Sequence, residues 1–179
     1  MVNLELGENY PWYLYKDEIK EIIIEEGITS IGSYAFSNTY YLKNVNMFEG
    51  VTTIGEHAFD WCYRLTNVAI PDSVTSIGLA AFYNCEGLTS VTIGNGVTSI
   101  GLAAFCNCKS LESVYCKSTT PPTGDEGMFS NYSGGYTPIG CKIYVPASAD
   151  HSILNAYKSA KYWKDYATYI VEYDFSAEQ

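Results

Sequence analysis

One pattern is written twice between residues 70 and 115. VTSIGLAAF at 74–82 returns unchanged at 97–105, and Asn-Cys at 84–85 returns at 107–108. Two earlier blocks align with these without a gap. The four are IEEGITSIGSYAFSNTYYLKNVN (24–46), MFEGVTTIGEHAFDWCYRLTNVA (47–69), IPDSVTSIGLAAFYNCEGLTSVT (70–92) and IGNGVTSIGLAAFCNCKSLESVY (93–115), each 23 residues long. A block this short cannot close a core of its own. It can bury apolar side chains only against the block before it and the block after it, so the period dictates a stacked solenoid rather than a globule.

The columns assign faces. Leu88, Val91 and Ile93 follow L-x-x-V-x-I, and the last two alternate with polar residues as a half-buried strand does. Leu42/Val45, Leu65/Val68/Ile70 and Leu111/Val114 share those columns, which predicts a parallel sheet along one wall. Val74 and Ile77 predict a second short extended piece on the opposite wall. Gly32, Gly55, Gly78 and Gly101 form an unbroken column, which calls for either a positive-φ turn or a close approach of backbones. The Phe column, Phe36, Phe59, Phe82 and Phe105, follows on an expected short helical turn that points each ring into the core. Residues 1–179 are thus expected to be one domain: a lead-in over 1–23, four repeats over 24–115 and a C-terminal cap over 116–179.

Composition narrows the functions. With 47% hydrophobic residues the chain is expected to fold. A net charge of −10 argues against nucleic acid and anionic lipid as partners. No apolar run is long enough for a membrane span. MVNLELGENYPWY has neither a basic n-region nor an apolar h-region, so no signal peptide is expected within this chain.

The blocks resemble BspA-like leucine-rich repeats, also called the Treponema type. Ile70-Pro71-Asp72-Ser73-Val74-Thr75-Ser76-Ile77-Gly78, Ala81-Phe82, Asn84-Cys85 and Leu88-x-x-Val91-x-Ile93 carry the resemblance. PWYLYKDEIKEIII (11–24) is similar to the family's lead-in. STTPP (118–122), KIYVP (142–146) and the Tyr157 to Trp163 region are similar to its C-terminal cap. The resemblance implies an α/β repeat solenoid: a short curved leucine-rich-repeat array with a parallel sheet face, short helical turns and a helical cap. It further implies a secreted or surface-attached bacterial protein that binds a host or microbial partner, protein or glycan, and acts in adhesion. Two departures stand out. The strand before Pro11 is cut short, which implies an incomplete N-terminal cap. The asparagine usual in other leucine-rich repeats is replaced by Gly27, Gly50, Ser73 and Gly96.

Catalytic and metal motifs are missing. No Ser sits in a G-x-S-x-G elbow, no P-loop is present, and GNG at 94–96 is a repeat turn. No enzyme activity, cofactor or metal is expected. Cys62, Cys85 and Cys108 share a column beside Asn38, Asn84 and Asn107, and read as buried thiols packed as small apolar groups. Cys106-x-Cys108 has the wrong gap for zinc. If a disulfide exists, Cys116 with Cys141 is the natural pair. Glu26, Glu49 and Asp72 also share a column, which reads either as a calcium edge or as a solvated acidic edge.

Binding information must lie in outward columns. The strand face offers Asn44, Asn67, Ser90 and Tyr115, which are small and polar but for the tyrosine. The turn after the Phe column is richer: Tyr40, Tyr41, Trp61, Tyr63 and Tyr83 fall on adjacent rungs, and could anchor a protein or stack on a sugar. Alternatively, Trp61 packs inward beneath the lead-in with Trp12, Tyr13 and Tyr15. A binding module is the first expectation and a passive spacer the second, with a monomer expected in either case. At the C-terminal end, Met128-Phe129 stands in for Ala-Phe and Ile143 and Val145 are expected to face inward. Ser148 or Ser152 is expected to cap a helix, and Trp163 to close the open end like a lid.

Overall fold

The computed structural model describes residues 10–132 and 136–178. Four-residue strands form at the L-x-x-V-x-I segments because apolar and polar side chains alternate there. They are β1 (Glu21–Ile24), β3 (Asn44–Met47), β5 (Asn67–Ile70), β7 (Ser90–Ile93) and β9 (Ser113–Cys116). Two-residue strands form the opposite wall: β2 (Ser30–Ile31), β4 (Thr53–Ile54), β6 (Ser76–Ile77) and β8 (Ser99–Ile100). Beyond them come β10 (Ser130–Tyr132), β11 (Tyr136–Pro138), β12 (Lys142–Pro146), helix α1 (Ser152–Ser159) and β13 (Ile170–Tyr173).

The larger sheet runs β1-β3-β5-β7-β9-β12-β13 and the smaller one β2-β4-β6-β8. Register follows the repeat, with Val68 opposite Val91 and Val91 opposite Val114. The smaller sheet is parallel too, pairing Ile54 with Ile77 and Ile77 with Ile100. β10 and β11 form a separate antiparallel hairpin.

A third ladder runs along the turns. The amide of Phe36 donates to Ala58 O at 2.8 Å, Phe59 to Ala81 O at 2.7 Å, Phe82 to Ala104 O at 2.8 Å and Phe105 to Met128 O at 2.9 Å. Two residues on, Asn38, Trp61, Asn84 and Asn107 donate in the same way to Asp60, Tyr83, Cys106 and Ser130. The segment is a run of tight turns rather than a regular helix. Tyr34 and Asn38, His57 and Trp61, Ala80 and Asn84, and Ala103 and Asn107 all have positive φ, between 50° and 60°. These left-handed residues aim alternate amides at the next rung, where a helix would have bonded them internally. They account for the Asn column, since Asn tolerates this region better than most residues.

The glycine column has the other cause. Gly32, Gly55, Gly78 and Gly101 are not among the positive-φ residues. A Cβ on Gly78 would stand 2.7 Å from Glu56 N and Gly55 C, and one on Gly101 would stand 2.7 Å from Leu79 N. Rung backbones touch there, and only glycine fits.

Between the walls lies one continuous core. Its spine is a column of rings in which Trp12, Phe36, Phe59, Phe82, Phe105 and Phe129 stack at centroid spacings of 5.4, 5.3, 5.2, 5.1 and 5.3 Å. Trp12 Nε1 donates to Ala35 O at 2.7 Å, tying the lead-in to the first rung. At the other end Trp163 is fully buried and donates to Pro122 O at 2.8 Å. Its ring meets Phe129 at 6.0 Å and Tyr157 at 4.9 Å, so the expected lid is in place over buried Met128, Ile143 and Val145. Ser152 is the first residue of α1, not its cap. Ser148 Oγ accepts from Ile153 N at 3.3 Å and Asp150 Oδ1 from Ser152 N at 3.0 Å. The segment before Pro11, read as an incomplete cap, lies almost wholly outside the described residues; Tyr10 is its described end, and its hydroxyl donates to Ser33 O at 3.2 Å.

Candidate functional site

The turn face gathers the aromatic residues that the repeat columns set side by side. Tyr40 stacks on Tyr63 at 5.6 Å. Trp61 meets Tyr63 edge-on at 5.5 Å and Tyr83 at 6.4 Å. Tyr41 carries Arg64 over its ring at 5.1 Å. Trp61 is 38% exposed and Tyr41 43%, while Tyr40, Tyr63 and Tyr83 are half-buried. Trp61 therefore does not pack inward beneath the lead-in. Trp12 occupies that end of the core instead, over Phe36. Beside the aromatic set runs a polar ladder. Asn107 Nδ2 donates to Asn84 Oδ1 at 2.9 Å and to Tyr83 Oη at 3.2 Å, and Tyr40 Oη donates to Asn38 Oδ1 at 3.1 Å. The backbone of Trp61, Tyr63 and Tyr83 is tied into the turn ladder, with Trp61 N donating to Tyr83 O and Gly87 N to Tyr63 O.

The strand face divides into two parts. Asn44 and Asn67 are exposed and pair across β3 and β5, and Ser90 continues their row. Tyr115 belongs to a different group. It stacks on Tyr144 at 4.7 Å and meets Tyr173 at 5.5 Å. Phe175 packs on Tyr173 at 4.9 Å. Tyr144, Tyr173 and Phe175 lie outside the repeats, so no column pointed to them. Next to them is an open groove of about 450 Å³ that reaches Asp72, Asn95, Lys117 and Asp174. A more apolar hollow of about 670 Å³ lies at the N-terminal end among Ile22, Ile24, Ile28 and Ile31, where the described chain begins.

Two of the three carboxylates in the acidic column are engaged by the backbone. Glu49 accepts from the amides of Asp72 at 3.2 Å and Ser73 at 3.0 Å, and Asp72 accepts from Asn95 N at 2.9 Å. Each of these two carboxylates caps the turn of the next rung, which gives Glu49 and Asp72 a structural part. No group of three or more metal-ligating side chains occurs among the described residues.

All six cysteines are free and buried, Cys116 and Cys141 included, so that pair forms no disulfide. The column thiols donate to Phe carbonyls on the preceding rung: Cys62 to Phe36 O at 3.4 Å, Cys85 to Phe59 O at 3.2 Å and Cys108 to Phe82 O at 3.2 Å. Burial holds Cys62 and Cys108 well above the ordinary thiol range. Cys85 is equally buried between them. A thiolate there would have no cation to offset its lost hydration, so burial keeps it protonated as well. His57 Nδ1 bonds Asp60 Oδ2 at 2.9 Å and its ring stacks on Tyr34 at 4.9 Å.

Three backbone ladders around a ring-stacked core define a leucine-rich-repeat solenoid that presents a turn face and a strand face. The chain belongs to the BspA-type leucine-rich repeat family, whose repeat region matches residues 10–133 in six copies. That span takes in the lead-in and the start of the C-terminal region as well as the four aligned blocks. Similar solved structures include bacterial leucine-rich repeat proteins. One from Bacteroides ovatus ATCC 8483 is 26% identical with a TM-score of 0.51, over 72% of this chain and 40% of that one. The pneumococcal vaccine antigen PcpA is 22% identical with a TM-score of 0.59, over 87% of this chain and 36% of that one. A leucine-rich repeat protein of T. pallidum is 21% identical with a TM-score of 0.57, over 82% of this chain and 74% of that one. This chain thus spans well under half the length of the first two. Among curated proteins nothing matches. No described helix is long and apolar enough to cross a membrane.

Proposed function

We propose that this chain is a non-catalytic binding module of a secreted or surface-attached bacterial protein, and that it engages a protein partner through Tyr40, Tyr41, Trp61, Tyr63 and Tyr83. Trp61 carries the reading. Its φ is 59°, in a column where the other rungs place Asn. A bulky side chain in the left-handed region costs about 1–2 kcal/mol, and the ring stays 38% exposed. The ring contacts to Tyr63 and Tyr83 do no more than offset that cost, so folding gives no net reason for that choice, whereas binding does. Exposed Trp and Tyr are the residue types that dominate interface energetics. The name vaccine antigen, given to the pneumococcal neighbour, fits an exposed location. The net charge of −10 disfavours nucleic acid and anionic membranes as partners.

The test is capture of extracellular host and bacterial proteins on immobilised wild-type chain, Trp61→Asn and Tyr41→Ala. The reading expects a partner whose retention falls by about thirty-fold in Trp61→Asn, the loss of one hot spot. Equal capture by all three would move the site off the turn face. Capture by none would favour a passive spacer, the role suited to the small polar strand face at Asn44 and Asn67.

A further inference from the structure

The C-terminal end of the strand face does something the repeat does not require. Through β3, β5 and β7 the outward residues are Asn, Ala, Ser and Thr. At β9, β12 and β13 each strand adds an outward tyrosine, Tyr115, Tyr144 and Tyr173, beside Ser113, Lys142 and Val171, and Phe175 joins the tyrosines. The core already has its full complement of buried side chains on the other face, so these rings are not needed to close it. Two of them, Tyr173 and Phe175, line a groove of about 450 Å³, a volume typical of small-ligand clefts.

The groove crosses the carboxyl ends of successive strands. Asp72 follows β5 by two residues, Asn95 follows β7 by two, Lys117 follows β9 directly, and Tyr173 ends β13. Rungs stand about 4.8 Å apart, so the side chains of Asp72, Asn95 and Lys117 present hydrogen-bonding groups at intervals comparable to the width of one sugar ring. Asp72 binds the amide of Asn95 through Oδ1 at 2.9 Å. Its second oxygen, the Asn95 carboxamide and the Lys117 ammonium supply an acceptor, a mixed donor and acceptor, and a donor. Tyr173 and Phe175 supply apolar ring surface at the other side.

We infer that this groove is a saccharide subsite that takes a neutral pyranose ring, with its C–H face against Tyr173 and Phe175 and its hydroxyls toward Asp72, Asn95 and Lys117. Hydroxyls need donors and acceptors together, and the lining offers both. Lys117 is offset by Asp72 and Asp174, so the groove has no excess of positive charge with which to select a phosphate or an anionic headgroup. An extended peptide wants a strand edge to pair with. This groove runs across strand ends and offers no such row. The site is separate from the turn face around Trp61 and stands whether or not that face binds protein.

Lactose, cellobiose and chitobiose are the probes, titrated into ¹⁵N-labelled chain and followed by amide shifts. The inference expects at least one of them to shift amides of residues 117–119 and 172–176 with a millimolar Kd. Asn95→Ala should weaken that binding by about five-fold, the worth of one hydrogen bond, with the melting temperature unchanged. Tyr173→Ala should weaken it further. No shift of these amides by any probe at about 20 mM, weaker than the weakest useful subsite, would overturn the inference. So would shifts that survive both substitutions, or shifts produced by an unrelated peptide and by no sugar.

Discussion

Phe82 and Thr92 stand ten residues apart and play opposite parts. Phe82 is fully buried, stacked at 5.2 Å on Phe59 and 5.1 Å on Phe105. Thr92 lies on the outward face of β7, half-exposed. Truncating Phe82 to Ala removes a large apolar contact and leaves a hole that neighbouring rungs cannot fill without breaking their ladders. Urea denaturation should therefore show a loss of about 3–5 kcal/mol for Phe82→Ala. For Thr92→Ala the loss should stay under about 0.5 kcal/mol. Equal losses would mean that the facing of the strands is misassigned. Trp61 is the third type of residue. It is large and aromatic like Phe82, yet it stands outward on strained backbone. Replacing it with Asn gives up surface ring contacts but relieves the left-handed strain, so the two effects oppose each other.

At the scale of elements, each rung is fixed by what its neighbour lacks. Gly78 is small because Gly55 and Glu56 occupy the space a Cβ would need. Gly78→Ala should force two rungs apart and cost about 1–3 kcal/mol, as overpacking does, read as a fall in the urea midpoint. An unchanged midpoint would show that the rungs slide freely. The strands and the ring column were legible because the repeat carries them without a gap. The left-handed pairs were half legible: Asn38, Asn84 and Asn107 hint at them, whereas Ala80 and Ala103 carry no local signature. The carboxylate column was visible, but the partners of Glu49 and Asp72 are backbone amides of the next rung, which no side-chain pattern encodes. β13 was missed because Ile170-Val171-Glu172-Tyr173 follows no repeat spacing; it joins the sheet by pairing with β12 after the helix has turned the chain back. The Tyr144, Tyr173 and Phe175 group was missed for the same reason, since contacts between non-repeat elements leave no period to read.

At the scale of the whole molecule, five of the six thiols sit within the continuous core, and Cys106 is buried at the turn beside Asn107. Burial pushes Cys106 up to about 11 and Cys141 up to about 12, and raises Cys62, Cys108 and Cys116 as well. A raised folded-state value means that the native chain holds these protons more tightly than the unfolded chain. The stability this confers is fully present below the ordinary thiol value of 9.0 and is lost as pH rises through the folded values. The melting temperature should hold steady from about pH 6 to 8 and fall steeply above about pH 9. Replacing Cys62, Cys85 and Cys108 by Ala should flatten the fall, and a native chain at pH 8 should resist thiol reagents until denatured. Fast labelling of the native chain would contradict the buried, protonated ladder.

The central claim is that one stack separates its folding residues from its binding residues, the first in buried columns and the second on the outward turn around Trp61. Partner capture and thermal melting measured side by side on wild-type chain and Trp61→Asn test this most directly. The account predicts that Trp61→Asn melts within about 1.5 kcal/mol of wild type, because relief of the left-handed strain offsets the lost ring contacts, and that it loses the captured partner. A variant that unfolds, or one that melts normally and still holds the partner, would contradict it.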